Sequence, residues 1–433
     1  MKKHTLKFGI SCCLALVFHT IAYAQNENYI AEQELPYAVF LQMVGQNNKQ
    51  YAAEKFNVDI AEANALTAKI FPDPEISITA FDNGERRMQM GYGFSSELTY
   101  TLELGGKRKA RINLAHSESQ LIQLLLADYF RNLRADATLS YLEAIKEQRN
   151  LDVKIQSYET IKKLCDADSI RLSLGAIAEI DAQQTKLEAH SLLNEVYEQE
   201  GILKTALFNM YLMTGSEKAD ILYLPKETFT GFQRTYNLKY LLTIAKENRT
   251  DLAAAVKNRE VSQKMLQLAK ANRKIDLGLT LGVQNNSAAT NMEAPTPSFT
   301  TVSAGLSIPI KLSNRNKGEL KAAQYAIEQS EMLYKQAELQ IQAEVSQYYY
   351  SYLASQKQVQ QFANGMLENA QKILDGKIYS YKRGETSLLE VLDARRTYNE
   401  IQQSYNEAQY ALAAALVELQ RAVAIWDINF LTK

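Results

Sequence analysis

Proline and glycine are scarce in this chain of 433 residues, with seven prolines and 18 glycines. The prolines stand at 36, 72, 74, 225, 295, 297 and 309, so Glu75–Leu224 and Ile310–Lys433 contain none. Those stretches lack the residue that breaks a helix interior, and long helices can run through them. Cysteine is almost missing as well. Cys12 and Cys13 fall in an N-terminal leader, which leaves Cys165 alone and excludes an intramolecular disulfide or a cysteine-built metal site. His4 and His19 belong to the same leader, and His116 and His190 stand singly on separate helical segments, as surface or packing residues. The chain has no P-loop, dinucleotide fingerprint or H-E-x-x-H. Gly105-Gly106-Lys107-Arg108 has the composition of a phosphate loop without its spacing, and reads as the end of a strand and the start of a helix with basic residues below the lipid. Met88, Met90 and Met292 are scattered rather than grouped as a copper site. No catalytic residue, cofactor or resident metal is expected, and the chain is not read as an enzyme.

An excess of one charge is missing too. Lys+Arg number 48 against 49 Asp+Glu, which argues against nucleic acid as a partner. No long uncharged apolar run follows the leader, so if the chain enters a membrane it does so as a β-barrel.

The leader itself, residues 1–24, reads as a signal peptide. Lys2, Lys3 and Lys7 precede an apolar core at 10–21, and Ala22-Tyr23-Ala24 offers an A-x-A cleavage site before Gln25. The core is too short to span a bilayer, and Gln25 is not the cysteine a lipoprotein needs. Losing three lysines and no acids takes the net charge from -1 to -4.

The remainder echoes itself. Asn47-Asn48-Lys49-Gln50-Tyr51-Ala52-Ala53 is matched by Asn248-Arg249-Thr250-Asp251-Leu252-Ala253-Ala254, and the glycine turn at Leu174-Gly175-Ala176-Ile177 by Arg383-Gly384-Glu385-Thr386. The organisation predicted is a first repeat over 25–215, a linker over 216–237 and a second repeat over 238–433. Each repeat runs helix, two strands, long helix, glycine turn, second helix.

Four segments alternate with period two: about 75–81, 92–104, 275–284 and 299–310. In the third, Ile275, Leu277, Leu279, Leu281 and Val283 oppose Asp276, Gly278, Thr280, Gly282 and Gln284. A transmembrane barrel strand requires this pattern, and a half-buried soluble sheet gives it too. Each pair forms a hairpin with a polar tip. Four strands cannot close a membrane barrel, which needs at least about eight, and open edges in lipid cost several kcal/mol per unsatisfied group. Transmembrane strands therefore demand oligomerisation, and arithmetic allows two, three or four copies.

Between strands and turns the period is helical. Ile112, Ala115, Ser119, Ile122, Leu126, Tyr129 and Leu133 form a seam in a helix from about 107 to 169. In the second half the seam runs through Ile341, Val345, Tyr348, Tyr352, Ser355, Val359, Phe362 and Met366. About 60 residues at 1.5 Å each make a rod of roughly 90 Å, too long for a compact globule. The partner helices, about 180–213 and 388–424, return antiparallel. The fold class is mainly α with a small β part.

Five segments resemble the TolC family of outer-membrane efflux proteins. They are FPDPEISI at 71–78, ELTYTLELGGKRKARI at 97–112, LSIPIKLSNRNKGEL at 306–320, RLSLGAIAEIDAQQ at 171–184 and YKRGETSLLEVLDARR at 381–396. LELGGKRKAR and FPDPE look most like the heavy-metal-cation branch. The resemblance implies a homotrimer with a 12-stranded barrel in the outer membrane of a Gram-negative bacterium and a 12-helix tunnel through the periplasm. It implies a passive exit duct docked to a periplasmic adaptor (membrane fusion protein) and, through it, to an inner-membrane RND or ABC pump. It places an adaptor-docking tip at Arg171, Leu172, Gly175, Tyr381, Arg383 and Gly384, and an aperture at Glu390, Asp393 and Asp181. Spaced i, i+3, Glu390 and Asp393 can face one lumen, and a ring of three copies should favour cations and raise the carboxyl pKa values by repulsion. Asp181 is the candidate latch between hairpins. Where relatives carry a latch arginine this chain has Thr386, with Arg383 close enough to substitute. The other readings are a periplasmic adaptor, which should carry a lipoyl-type β domain, and a non-transporting coiled-coil envelope protein. The pump, on another chain, selects the cargo.

Overall fold

The computed structural model describes residues 31–83, 88–217, 221–310, 316–428 and 430. The signal-peptide segment and the predicted cleavage site lie outside them. In chain order the elements are β1 (Ala31–Leu35), α1 (Tyr37–Asn47), α2 (Lys49–Thr67), β2 (Glu75–Asp82), β3 (Tyr92–Leu102), α3 (Lys107–Ser173), α4 (Glu179–Thr214), β4 (Ile221–Pro225), α5 (Leu238–Asn248), α6 (Thr250–Asn272), β5 (Leu277–Asn286), β6 (Phe299–Ser307), α7 (Lys317–Gln361), α8 (Leu367–Lys382) and α9 (Leu388–Val423). The fold is mainly helical with a small β part, as expected. The stretch read as a linker contains β4, which pairs in parallel with β1. Five-residue strands carry too few alternations to register as a pattern.

The proline-free stretches become the longest helices. α3 runs 67 residues without a break, about 100 Å, and buries Ala115, Ser119 and Leu133 of its seam. His116 and His190 are exposed, as read from the sequence. The second long helix departs from expectation. The seam was read straight through Met366, but a π-turn at Phe362–Met366 separates α7 from α8. Gly365 there sits at φ 95°, a conformation no α-helix contains. Ile341, Val345, Tyr352, Ser355 and Val359 are buried above the break, whereas Met366 is 43% exposed.

α1 and α2 are parted by Asn48, whose side chain accepts from the Tyr51 amide at 2.9 Å. α5 and α6 are parted in the same way by Arg249, which is buried and paired with Asp251 and Glu344, each at 2.6 Å. The main core sits at this level. Phe40, Tyr141, Met210, Val345, Tyr352 and Leu416 meet there, and β1 and β4 border it.

The second sheet is antiparallel with order β2-β3-β5-β6. Register puts Glu97 opposite Ser77 and Gly282, and Gly282 opposite Ser303. One face therefore carries Ser77, Thr99, Thr280, Gln284 and Ser303. The other carries Ile76, Leu98, Leu281, Val302 and Leu306, which are 70%, 42%, 60%, 76% and 69% exposed. Among the described residues no helix packs over the sheet, and its contacts are strand to strand. The outer edges of β2 and β6 have no strand partner among the described residues.

Candidate functional site

Two helical hairpins end together at the pole opposite the sheet. α3 stops because Gly175 turns left-handed at φ 72°, with its amide donating to the Leu172 carbonyl at 2.9 Å and the Ala176 amide to that of Arg171 at 2.8 Å. Gly384, at φ 77°, repeats the device with Tyr381 at 2.9 Å and Glu385 on Ser380 at 2.9 Å. This is the Schellman ending that satisfies the last carbonyls of a helix. In both hairpins the return helix starts four residues after the glycine, and Asp181 and Glu390 stand six residues after it.

All four helices contribute to one small core. Ile161 and Leu164 of α3 meet Ala189 and Leu192 of α4, Tyr381 of α8, and Leu388 and Val391 of α9. Buried in it, at 1% exposure, is the carboxylate of Asp168. It accepts from the Tyr381 hydroxyl at 2.7 Å, the Thr185 hydroxyl at 2.9 Å and the Arg171 guanidinium at 3.2 Å. Arg171 also lies over the Tyr381 ring at 5.5 Å. Burial first, and then the hydrogen bond to the Asp168 carboxylate, push the Tyr381 phenol up to about 12, so it stays protonated as a donor. A single carboxylate thus ties three helices of two hairpins.

Polar links continue up the seam between α3 and α9. Arg395, 5% exposed, donates to the hydroxyls of Ser157 at 3.0 Å and Thr160 at 3.2 Å. Asn399 donates to Ser157 at 2.8 Å and Asn406 to Asn150 at 3.0 Å. Arg395 has no carboxylate partner among the described residues, and burial brings its pKa down to about 10.

The predicted aperture residues are distributed unevenly. Glu390 and Asp393 are both exposed and border one groove of about 430 Å³ between α8 and α9, so they do share a side. Glu390 accepts from Lys377 at 2.6 Å, and Asp393 pairs with Arg396 at 2.9 Å. The Lys377 ammonium holds the Glu390 carboxyl down at about 2. Asp181 lies apart, exposed on α4, and offers its backbone carbonyl to Thr185 at 3.0 Å. Within the chain the hairpins are linked through Asp168. Arg383 pairs with Glu385 at 2.9 Å and donates to Tyr379 at 3.1 Å, all on its own hairpin. Asp168, Thr185 and Arg395 were missed in the sequence, though a signal existed. Ile161, Leu164 and Asp168 are spaced 3 and 4, as are Val391, Arg395 and Tyr398 in reverse, which puts a charge at a seam position each time.

At the other pole, LELGGKRKAR proves to be a fastening. Arg111 clasps Glu103 at 2.7 and 3.1 Å and donates to the carbonyls of Ala68 at 3.2 Å and Ile70 at 3.0 Å. Lys107 pairs with Asp276 at 2.5 Å. The end of β3, the exit of α2 and the approach to β5 are thereby locked to the start of α3.

An uncovered amphipathic sheet carried on long paired helices with a polar-cored tip is the architecture of an outer-membrane duct. The sequence profile of the outer membrane efflux proteins matches residues 40–216 and 241–424, and the chain belongs to that family. It is 21% identical over 357 residues to the cobalt-zinc-cadmium resistance protein CzcC of Cupriavidus metallidurans, covering 82% of both chains. It is 22% identical over 388 residues to the outer membrane protein TolC of Vibrio cholerae, covering 82% of this chain and 84% of that one. Among solved structures, CusC superposes with a TM-score of 0.70 at 18% identity, covering 89% of this chain and 91% of that one. A membrane protein from Pseudomonas aeruginosa gives 0.71 at 17%, with coverage of 89% and 91%. The protein is the outer-membrane channel component of an efflux system.

Proposed function

We propose that three copies close their sheets into one 12-stranded barrel, with the paired helices forming a tunnel beneath it. The observation that carries closure between copies is the bare sheet, and the number three rests on the family resemblance. Among the described residues the sheet's apolar face meets no helix and two strand edges lack partners, an arrangement that lipid and neighbouring copies would satisfy. The repeated order of elements and the matching glycine endings support an internal duplication, with the linker at 216–237 between its halves. A signal peptide over residues 1–24 fits export to the outer membrane.

The hairpin pole is then the periplasmic gate. Asp168, Tyr381, Thr185 and Arg171 hold it shut within each copy, and Glu390, Asp393 and Asp181 line the aperture. Arg171, Leu172, Gly175, Tyr381, Arg383 and Gly384 form the surface for a periplasmic adaptor, itself coupled to an RND or ABC pump. The likeness to a cobalt-zinc-cadmium resistance protein supports metal cations as cargo. Acidic groups at a narrow opening favour that charge. A periplasmic adaptor or a soluble coiled-coil envelope protein would have no use for an uncovered apolar sheet.

Detergent extraction of outer membranes tests the reading. It should yield a heat-dissociable trimer that conducts ions in planar bilayers. Recovery as a soluble monomer after removal of the leader would overturn it.

A further inference from the structure

The four crossings between sheet and helices all lie at one end of the sheet, and every one is basic. Lys69 leads into β2, Lys107 to Arg111 follow β3, Arg273 and Lys274 lead into β5, and Lys317 and Lys321 follow β6. The opposite end carries Asp82 and Glu293 and, among the described residues, no lysine or arginine. Three of the cations are occupied internally. Lys107 meets Asp276 and Arg111 meets Glu103, while Arg108 donates to the Lys69 carbonyl at 2.8 Å and lies over the Phe71 ring at 4.1 Å. Lys69, Lys109, Arg273, Lys274, Lys317 and Lys321 are exposed and have no carboxylate partner among the described residues. Asp73, Glu75 and Glu319 are exposed at the same end, Glu319 accepting from Asn272 and Asn316 at 3.0 Å each, but with Glu103 and Asp276 the acids there number five against nine cations among the described residues. Interleaved with these cations are large exposed apolar side chains, Phe71 at 57%, Leu104 at 47%, Ile308 at 55% and Ile310 at 71%. They continue the apolar face of the sheet, so one surface passes from hydrocarbon-like to cationic at a single level.

We propose that this belt binds the anionic head groups of phospholipids in the leaflet on the helix side of the barrel. The inference rests on the membrane reading of the sheet and adds a head-group preference to it. A lysine or arginine close to a charged bilayer surface gains electrostatically, and its aliphatic stem lies along the apolar boundary while the charge reaches the phosphodiester. In a ring of three copies the exposed cations recur three times around the rim. The attraction acts between exposed charges, so salt should screen it.

The test is electron spin resonance on the full protein reconstituted in phosphatidylcholine bilayers doped with spin-labelled phosphatidylglycerol or spin-labelled phosphatidylcholine. The immobilised fraction should favour phosphatidylglycerol by about threefold at low salt and approach parity at about 1 M. Combined Lys69→Gln, Lys109→Gln, Lys274→Gln and Lys321→Gln should bring the low-salt ratio to about one with conductance intact. Equal immobilisation of both lipids by a conducting wild-type protein overturns the belt and leaves the barrel standing. So does a preference that persists in the quadruple variant. A protein that neither inserts nor conducts removes the barrel and the belt together.

Discussion

Asp168 shows how much one side chain decides here. A carboxylate in an apolar four-helix core is tolerable only while its donors stay in place, and Tyr381 is the donor that comes from the other hairpin. Tyr381→Phe keeps the ring and removes the hydroxyl, so it should weaken the link by about 2 kcal/mol, the usual cost of depriving a buried charged group of one hydrogen bond. Single-channel recordings should then show longer or larger openings, and Thr185→Val should act in the same direction. Unchanged gating in both would separate the link from the closed state. Glu390 makes a pH prediction. Its depressed carboxyl keeps the ion pair with Lys377 fully formed above the ordinary carboxylate value and loses it only as pH falls toward about 2. Glu390 should therefore still contribute to cation block at pH 4, read in an Asp393→Asn background. Lys377→Gln should move its loss to higher pH. Neutralising both acids, Glu390→Gln with Asp393→Asn, should weaken block by multivalent cations. Glu390 and Asp393 were named on the family resemblance, and the structure shows them exposed on one groove. The link that Asp168 makes escaped the sequence reading, because two of its three partners lie 17 and 213 residues away in sequence.

At the scale of elements, helices and strands were legible almost to their ends, since period and proline placement are local properties. The predicted segments at 75–81, 92–104 and 299–310 appear as Glu75–Asp82, Tyr92–Leu102 and Phe299–Ser307. What periodicity could not reveal is the π-turn. Apolar spacing continues through Phe362 and Met366, and the interruption depends on the backbone of Asn364 and Gly365 between them. The two tip glycines were visible as turns, but their identical hydrogen-bond pattern was not. Both occupy positive φ with open space where a Cβ would stand, so the cost of substitution is conformational alone. Gly175→Ala and Gly384→Ala should each cost about 1 kcal/mol, the penalty of a left-handed residue with a side chain. Faster proteolysis at the tip without loss of the folded protein would show it. Asparagine, which tolerates that region, should be milder.

For the whole molecule, the charge and apolar patterns make sense only together. A single copy leaves Ile76, Val302 and Leu306 bare and two strand edges open, while its helical body is well buried around Tyr141 and Tyr352. Apolar side chains are bare on the helices too, among them Leu187, Leu212, Leu339 and Leu389, so stability should depend on what surrounds both the sheet and the helical body. In lipid or detergent the assembly should resist heat until the strands separate. Edge pairing is where it should be most vulnerable, because a proline there removes a ladder hydrogen bond and gives nothing back. Val302→Pro in β6 should lower the dissociation temperature of the oligomer on unheated gels while leaving the helical circular dichroism of each chain nearly unchanged. An equally heat-resistant oligomer would mean that copies associate through their helices alone. The sheet would then need another explanation for its uncovered face.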